Sequence, residues 1–416
     1  MLRVLVFCLA LTFTLALAIP TTGADWPQWL GPKRDGGSSE SIEPWKESPK
    51  VLWKAKVGVG FSTPVIVGGR VFVHARINGK DKEELIALDA KSGKVLWRTA
   101  YDRGPYNSVL NTGPQATPTV VGNRVYTYGI TGFLTCFEAD TGKQVWQVDA
   151  FKKLKANLPQ FGVCCSPLVV GNKVVVAVGG KGSSVVAFEA ETGEIAWQAL
   201  DEPAGTSSPV LVVAGGKAGR LPEVTFMTTL RVVGLNPLDG SVNWEFALPF
   251  QPGGTQPTPL VIGDRIFTST MSNGTTAIRV TAGEKVTAEK VWQAKDLSGY
   301  FSSGVASGKD RIFLVTNVTK PVPRADLACV DAATGKEKWK KEGIGYFHFG
   351  VIRTGNGKLL VLDDAGTLRL IDATADEFKE LCSAKVCDGT LVTPALSNGL
   401  LYARDSEQIV CVQLTQ

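Results

Sequence analysis

Histidine is almost missing from this chain: His74 and His348 are the only two among 416 residues. That scarcity leaves histidine-built metal centres and most histidine-dependent nucleophilic triads without material. The motif alphabet is equally bare, with no Cys-x-x-Cys pair, no phosphate-binding glycine loop and no nucleophile elbow. Asp363 and Asp364 in "LDDAGTL" are followed by too few oxygen ligands for a calcium loop and read as turn acids. Net charge is only +5 and is scattered, without a basic block or arginine-rich helix, which argues against nucleic acid or an anionic membrane as partner.

Long apolar runs are also absent beyond the start of the chain. Arg3 is followed by an apolar stretch from Val4 to Ala18, too short to span a bilayer comfortably, and small residues follow at Thr22 and Ala24. Residues 1–24 therefore read as a secretory signal cleaved between Ala24 and Asp25, with Ala18 as the alternative, and the mature product as soluble and exported. Cys8 lies inside the apolar run, so no lipid-anchor cysteine opens the mature chain.

What the sequence has in quantity is repetition. "FEADTGKQVW" (137–146) recurs as "LDAKSGKVLW" (88–97), "FEAETGEIAW" (188–197), "LNPLDGSVNW" (235–244) and "VDAATGKEKW" (330–339), with Gly always midway between the polar residue and Trp. A fixed offset implies fixed geometry: a strand, a tight turn whose Gly supplies positive φ, then a strand carrying Trp on one face. Before each copy stands a second element, such as "STPVIVGGRVFV" (62–73) or "ATPTVVGNRVYTY" (116–128), in which Pro opens one strand and Gly-Gly, Gly-Asn or Gly-Asp turns into the next. Each unit thus holds four short strands, and weaker copies beginning at 302, 348 and 392 bring the number of units to eight.

Trp53, Trp97, Trp146, Trp197, Trp244, Trp292 and Trp339 follow one another at intervals of 44 to 51 residues, the period of four-stranded propeller blades. One blade cannot bury both of its faces, so blades pack around an axis and Trp fills the wedge between neighbours. The last unit ends at "QIVCVQL" (408–414) without an outer strand, whereas "KVLWKAKV" (50–57) carries Trp53 without a unit of its own. Joining the two predicts an all-β, eight-bladed β-propeller of four-stranded antiparallel blades over 50–416, closed by its N- and C-terminal strands. Residues 25–49 precede it as a strap whose Trp26 and Trp29 are expected to cover the outside of a blade.

This Ala-x-Asp-x-x-Thr-Gly-x-x-x-Trp pattern resembles the tryptophan-docking repeat of the PQQ-repeat quinoprotein superfamily, which includes PQQ-dependent alcohol dehydrogenases and the propeller lipoprotein of outer-membrane β-barrel assembly. The opening "DWPQWLGPKRDG" (25–36) is similar to the start of exported bacterial PQQ-repeat proteins. The resemblance covers the whole mature chain and speaks for fold; one architecture hosts catalytic and non-catalytic members alike.

Seven cysteines follow the leader. Cys136, Cys329 and Cys411 occupy a repeat position filled elsewhere by Ala87, Ala187 and Gly234, which marks a tight packing slot. Cys382 and Cys387 fall in the unit that lost its turn Gly and its Trp, where a disulfide between them would staple the blade if the side chains face each other. The adjacent pair Cys164 and Cys165 stands just before an inner strand. Two small residues introducing a strand is one reading; the resemblance implies another, a vicinal disulfide over a quinone. The catalytic Asp, the calcium-binding Glu and Asn, and the Trp floor that the resemblance would also require have no counterpart placed in this chain.

Aligning the residues three before each strand-opening position predicts one channel mouth, ringed by Phe61, Gln115, Cys164, Thr206, Gln256, Phe301, Phe347 and Leu391, with Cys165, Tyr300, Tyr346 and His348 adjacent. An aromatic wall opposite amides suits a planar ligand or a peptide, and equally suits channel packing. The expectation is an exported, non-enzymatic scaffold with a protein partner in the cell envelope and neither catalytic nor metal residues. The alternative is a quinoprotein oxidoreductase using PQQ with calcium.

Overall fold

The computed structural model describes residues 25–108, 112–216, 221–249, 257–300, 302–318 and 321–415. Residues 1–24, read above as a secretory signal, lie outside the described residues, as do Gln256 and Phe301. Within the described residues the chain forms eight four-stranded antiparallel sheets, seven of them ordered from an inner to an outer strand in sequence and the eighth taking its outer strand from the start of the described chain, with one helix, Ala150–Leu154, and one short 3-10 turn at Ala214–Gly216. The inner strands are short: Val65–Val67, Thr119–Val121, Leu168–Val170, Val210–Val212, Leu260–Ile262, Val305–Ser307, Phe349–Arg353 and Ala395–Ser397 open blades 1 to 8 in turn.

Ring closure follows the expected route. Lys50–Lys56 is the outer strand of blade 8 and pairs antiparallel with Gln408–Gln413, bringing Trp53 opposite Cys411. The same cross-strand position recurs in the other blades, with Ala87 opposite Trp97, Cys136 opposite Trp146, Ala187 opposite Trp197, Gly234 opposite Trp244, Ala277 opposite Trp292 and Cys329 opposite Trp339. The small-residue slot is therefore the seat beneath each indole, and all three cysteines in it are fully buried.

All of these indoles but one reach across to a carbonyl of the next blade. Trp53 Nε1 donates to the Ala90 carbonyl at 3.1 Å, Trp97 to Ala139 at 3.2 Å, Trp146 to Ala190 at 2.9 Å and Trp197 to Pro237 at 3.0 Å. The ring then lies on the turn glycine of that neighbour. A Cβ built on Gly93, Gly142, Gly193, Gly240 or Gly335 would come within 2.7 Å of the Trp of the preceding blade. The turn Gly is thus required twice, for its positive φ and for the indole against it. Two joints deviate: Trp244 bonds Glu223 of its own blade, and Trp339 meets Phe378 edge-on at 5.8 Å, where blade 7 has no turn Gly.

In blade 7 the residue at the Trp position, opposite Leu370, is Cys382. The strap supplies a replacement, because Trp45 packs against the same core cluster beside Cys382. Cys382 and Cys387 are both free thiols, as are all the described cysteines, so the expected staple is not formed. Cys382 lies half-buried within the outer strand Glu380–Lys385, whereas Cys387 is buried in the bend beyond the strand's end.

The strap itself departs from expectation: it does not cover a blade's outer face but crosses the axial hole. Trp26 exchanges backbone hydrogen bonds with Ile66 of blade 1, Pro27 accepts from Val120 of blade 2, and Gly36 and Ser38 bond Arg353 of blade 7. Glu40 accepts from the Asn398 and Gly399 amides of blade 8. The reason is that inner strands expose a free edge toward the axis, and a segment laid across them satisfies N–H and C=O groups that would otherwise be orphaned.

Replacing Gly142 by Ala, where the new Cβ would lie 2.4 Å from Trp97, should cost roughly 3 kcal/mol, combining left-handed strain with overpacking. Ala at Gly122, also left-handed but with nothing within 4 Å, should cost only about 1 kcal/mol. Urea unfolding of the two variants checks the difference.

Candidate functional site

Three tiers stack along the propeller axis, set by residue position before each inner strand. The residue immediately before the strand-opening Pro is Ser or Thr in most blades, and these hydroxyls link blade to blade. Thr63 N donates to Thr117 Oγ1 at 3.1 Å, Thr117 N to Ser166 Oγ at 2.9 Å, Ser166 N to Ser208 Oγ at 2.9 Å, and Thr258 N to Ser303 Oγ at 3.0 Å. Thr63 Oγ1 in turn donates to the Thr393 carbonyl of blade 8 at 3.0 Å. Blade 7 breaks the series with Phe349, fully buried in the core.

Beneath this hydroxyl ring lies the strap. Trp29 Nε1 donates to Thr258 Oγ1 at 2.9 Å, and the indole floors a cavity of about 500 Å³. Arg34 is buried with it, donating to the carbonyls of Pro167 at 2.8 Å and Ser166 at 3.1 Å and to Gln28 Oε1 at 3.2 Å. Burial pushes the guanidinium down to about 10, so it remains charged at neutral pH.

Above the ring is the lip. Phe61, Gln115, Cys164, Thr206, Tyr300, Tyr346, Phe347, His348 and Leu391 all line the cavity, as their alignment predicts. The Tyr346–His348 loop is held by one acid: the Asp364 carboxylate accepts from the backbone N–H groups of Tyr346, Phe347 and His348 at 3.0, 2.6 and 3.2 Å. Fixed in this way, Tyr346 and Phe347 pack edge to face at 4.5 Å yet remain 51% and 43% exposed. Gln115 bridges the Phe161 carbonyl and the Cys164 thiol, and Asn317 ties the Phe347 carbonyl to the Tyr300 amide.

Cys165 does not join the lip. Its side chain turns into the core of blades 3 and 4, where its sulfur accepts the Ala177 N–H at 3.4 Å, while Cys164 faces the channel. Burial pushes the two thiols up to about 12 and about 11, so both are protonated and poor nucleophiles at neutral pH.

His348 shares a 2.6 Å hydrogen bond between Nδ1 and Ser302 Oγ, and burial pushes its pKa down to about 4, against the opposing pull of Asp364. The other histidine is far from the lip. His74 Nε2 meets Tyr101 Oη at 2.8 Å, and Tyr101 donates to Glu83 at 2.7 Å, in a buried chain within blade 1 that reaches blade 2 through the Ile130 N–H on Glu83. Burial works to raise Glu83, but the bonds from His74, Tyr101 and the Ile130 N–H hold its carboxyl below the usual range.

Sequence alignment missed Trp29, Phe161, Asn317 and the hydroxyl tier of Ser166, Ser208, Thr258, Ser303 and Thr393, which all line the cavity. The hydroxyl tier had a signal: Ser or Thr precedes the opening Pro in six blades, at Thr63, Thr117, Ser166, Ser208, Thr258 and Thr393. Among the described lining residues none is charged at neutral pH, and no cluster of described residues could hold a metal ion.

With this geometry in view, the comparisons with known proteins fall into place. The family described as outer membrane protein assembly factor BamB matches residues 42–117, 82–341 and 279–377. The chain belongs to this BamB family. A BamB of Yersinia pestis is 25% identical over 323 residues, which cover 75% of this chain and 76% of that protein. A quinohemoprotein alcohol dehydrogenase ADH-IIG of Pseudomonas putida is 27% identical over 154 residues, but these span 36% of this chain and only 20% of the enzyme. In three dimensions this BamB-family propeller is similar to BamB from Moraxella catarrhalis, with a TM-score of 0.59 at 15% identity, covering 89% of this chain and 99% of that one. It is also similar to quinohemoprotein alcohol dehydrogenase from Comamonas testosteroni, with a TM-score of 0.62 at 15% identity, covering 95% and 81%. These structural likenesses speak for the fold alone.

Two outcomes test the tiers. Thr117→Val orphans the buried Thr63 N–H and should cost about 1–3 kcal/mol in urea unfolding. His348 is held neutral in the fold and titrates near its ordinary value when unfolded, so its contribution is complete above about pH 6.5 and is lost as pH falls toward 4. Between pH 7 and pH 4 the native protein should lose about 3 kcal/mol more stability than the His348→Asn variant.

Proposed function

We propose that the protein is an exported cell-envelope scaffold that carries out no chemical step and receives a partner protein at the aromatic lip of its channel. The observation that carries this reading is the lip itself: Tyr346, Phe347 and Leu391 stay largely exposed while Asp364 fixes the backbone beneath two of them. Pre-ordered aromatics around a concave site offer contact area at little entropic cost, the usual makeup of a binding hot spot. Family membership supports the same reading, since the BamB relatives are named as outer membrane protein assembly factors. The apolar leader at Val4–Ala18 supports export. Among the described residues no helix is long and apolar enough to cross a membrane.

The quinoprotein alternative asks for different donors. PQQ presents three carboxylates and is used with calcium, which calls for cations around the cofactor and carboxylate oxygen for the metal. The described lining residues contain neither, so they do not fit that group.

A photo-crosslinking residue at Tyr346, expressed in the cell envelope, should yield one discrete protein adduct, diminished at least tenfold by Phe347→Ala and absent when the probe sits at exposed Leu238. Stoichiometric binding of PQQ and calcium by the purified protein, with dye reduction on adding an alcohol, would replace this reading by the alternative.

A further inference from the structure

The cavity is a blind cup whose two ends differ in chemistry. Its floor offers hydrogen-bond protons and almost nothing else. Ser166 Oγ, Ser208 Oγ and Ser303 Oγ each accept a backbone N–H, and Thr258 Oγ1 accepts the Trp29 indole. A hydroxyl has one proton to give, and none of these four gives its own to another of the described residues. Nearer the lip Gln115 and Asn317 use their amides to bind backbone and the neighbouring thiol, and among the described residues the one buried polar atom left open there is His348 Nε2.

Charge at the floor has one sign. Arg34 lies directly behind Ser166, bonded to the carbonyls of Ser166 and Pro167, and among the described residues no carboxylate stands within ion-pair distance of it. A buried guanidinium without a counter-ion leaves its field in the low-dielectric space in front of it. Above the floor the walls are apolar and aromatic, with Phe61, Phe161 and Phe347 around the opening.

We infer that the cup binds an organic monocarboxylate head-first, its oxygens on the hydroxyl ring in front of Arg34 and its apolar body between the phenyl rings. The head accepts protons that the floor cannot otherwise place and brings Arg34 a counter-charge, while the body covers the phenyl rings. One carboxylate is what a single guanidinium and one ring of hydroxyls serve. The carboxylate has two sources with this shared chemistry, a free small acid or the C-terminus of a polypeptide ending in an apolar residue. The inference rests on the channel mouth being a binding site, but it reads the floor, whereas the crosslink at Tyr346 reads the lip.

Isothermal titration of the intact mature protein with 3-phenylpropanoate and its methyl ester, and with a hexapeptide ending in Leu-Phe as free acid and as amide, tests it without any variant. The acid should bind at least tenfold more tightly than its neutral counterpart in one pair, and the pair showing this identifies the source. Arg34→Gln should abolish the preference and Arg34→Lys should retain it. Ser208→Ala, which leaves the strap untouched, should weaken the acid several-fold and the ester little. Equal affinity within both pairs, or no binding by any of the four, overturns the inference even if the Tyr346 crosslink forms.

Discussion

The structure depends on one contact made over and over: an indole held in the seat of a small cross-strand residue and pressed against the turn glycine of the next blade. All of these indoles but Trp244 join two sheets through apolar area and one hydrogen bond to a backbone carbonyl, as Trp146 does with Ala190. Because the contact is directional, it sets the angle between neighbours as well as their adhesion. Eight such angles close a ring, and the ring closes because Trp53 comes from the N-terminal end of the chain to sit opposite Cys411. Where the contact is altered, the molecule compensates locally. Blade 7 carries Cys382 in place of Trp and gains Trp45 from the strap.

A ring held together at its rim has a problem at its hub, and the functional features of this molecule are solutions to it. Inner strands of three to five residues cannot reach one another by backbone pairing. The hydroxyls of Thr117, Ser166, Ser208 and Ser303 relay between blades at their upper ends, and the strap laces their lower ends. The hole is thereby divided into a plug and a cup. The cup's shape follows from the plug, and its donor-rich floor follows from the relay.

Much of this was legible in the chain. The Asp-x-x-x-Gly spacing and the 44 to 51 residue intervals between tryptophans established blade number, register and closure, because the same packing problem was solved at each interface. The lip was legible by the same alignment, which brought Phe61, Gln115, Cys164, Tyr300, Tyr346, Phe347 and His348 to one cavity. The alignment could not orient adjacent side chains. Cys164 and Cys165 differ by one residue, yet one sulfur faces the channel and the other the core. Nor could it find Asp364, which shapes the lip from a turn outside the repeat pattern.

Periodicity alone determined the architecture, since a pattern repeated along the chain needs only one geometric solution repeated in space. The strap has no repeat to be aligned with. Whether Trp26, Trp29 and Arg34 lay outside a blade or across the axis was decided only in the tertiary structure, where the free edges of the short inner strands offered unpaired backbone groups and the hole took in the strap. The pairing of Cys382 and Cys387 was decided there too, because the course of the chain beyond the outer strand, rather than closeness in sequence, determines which sulfurs meet.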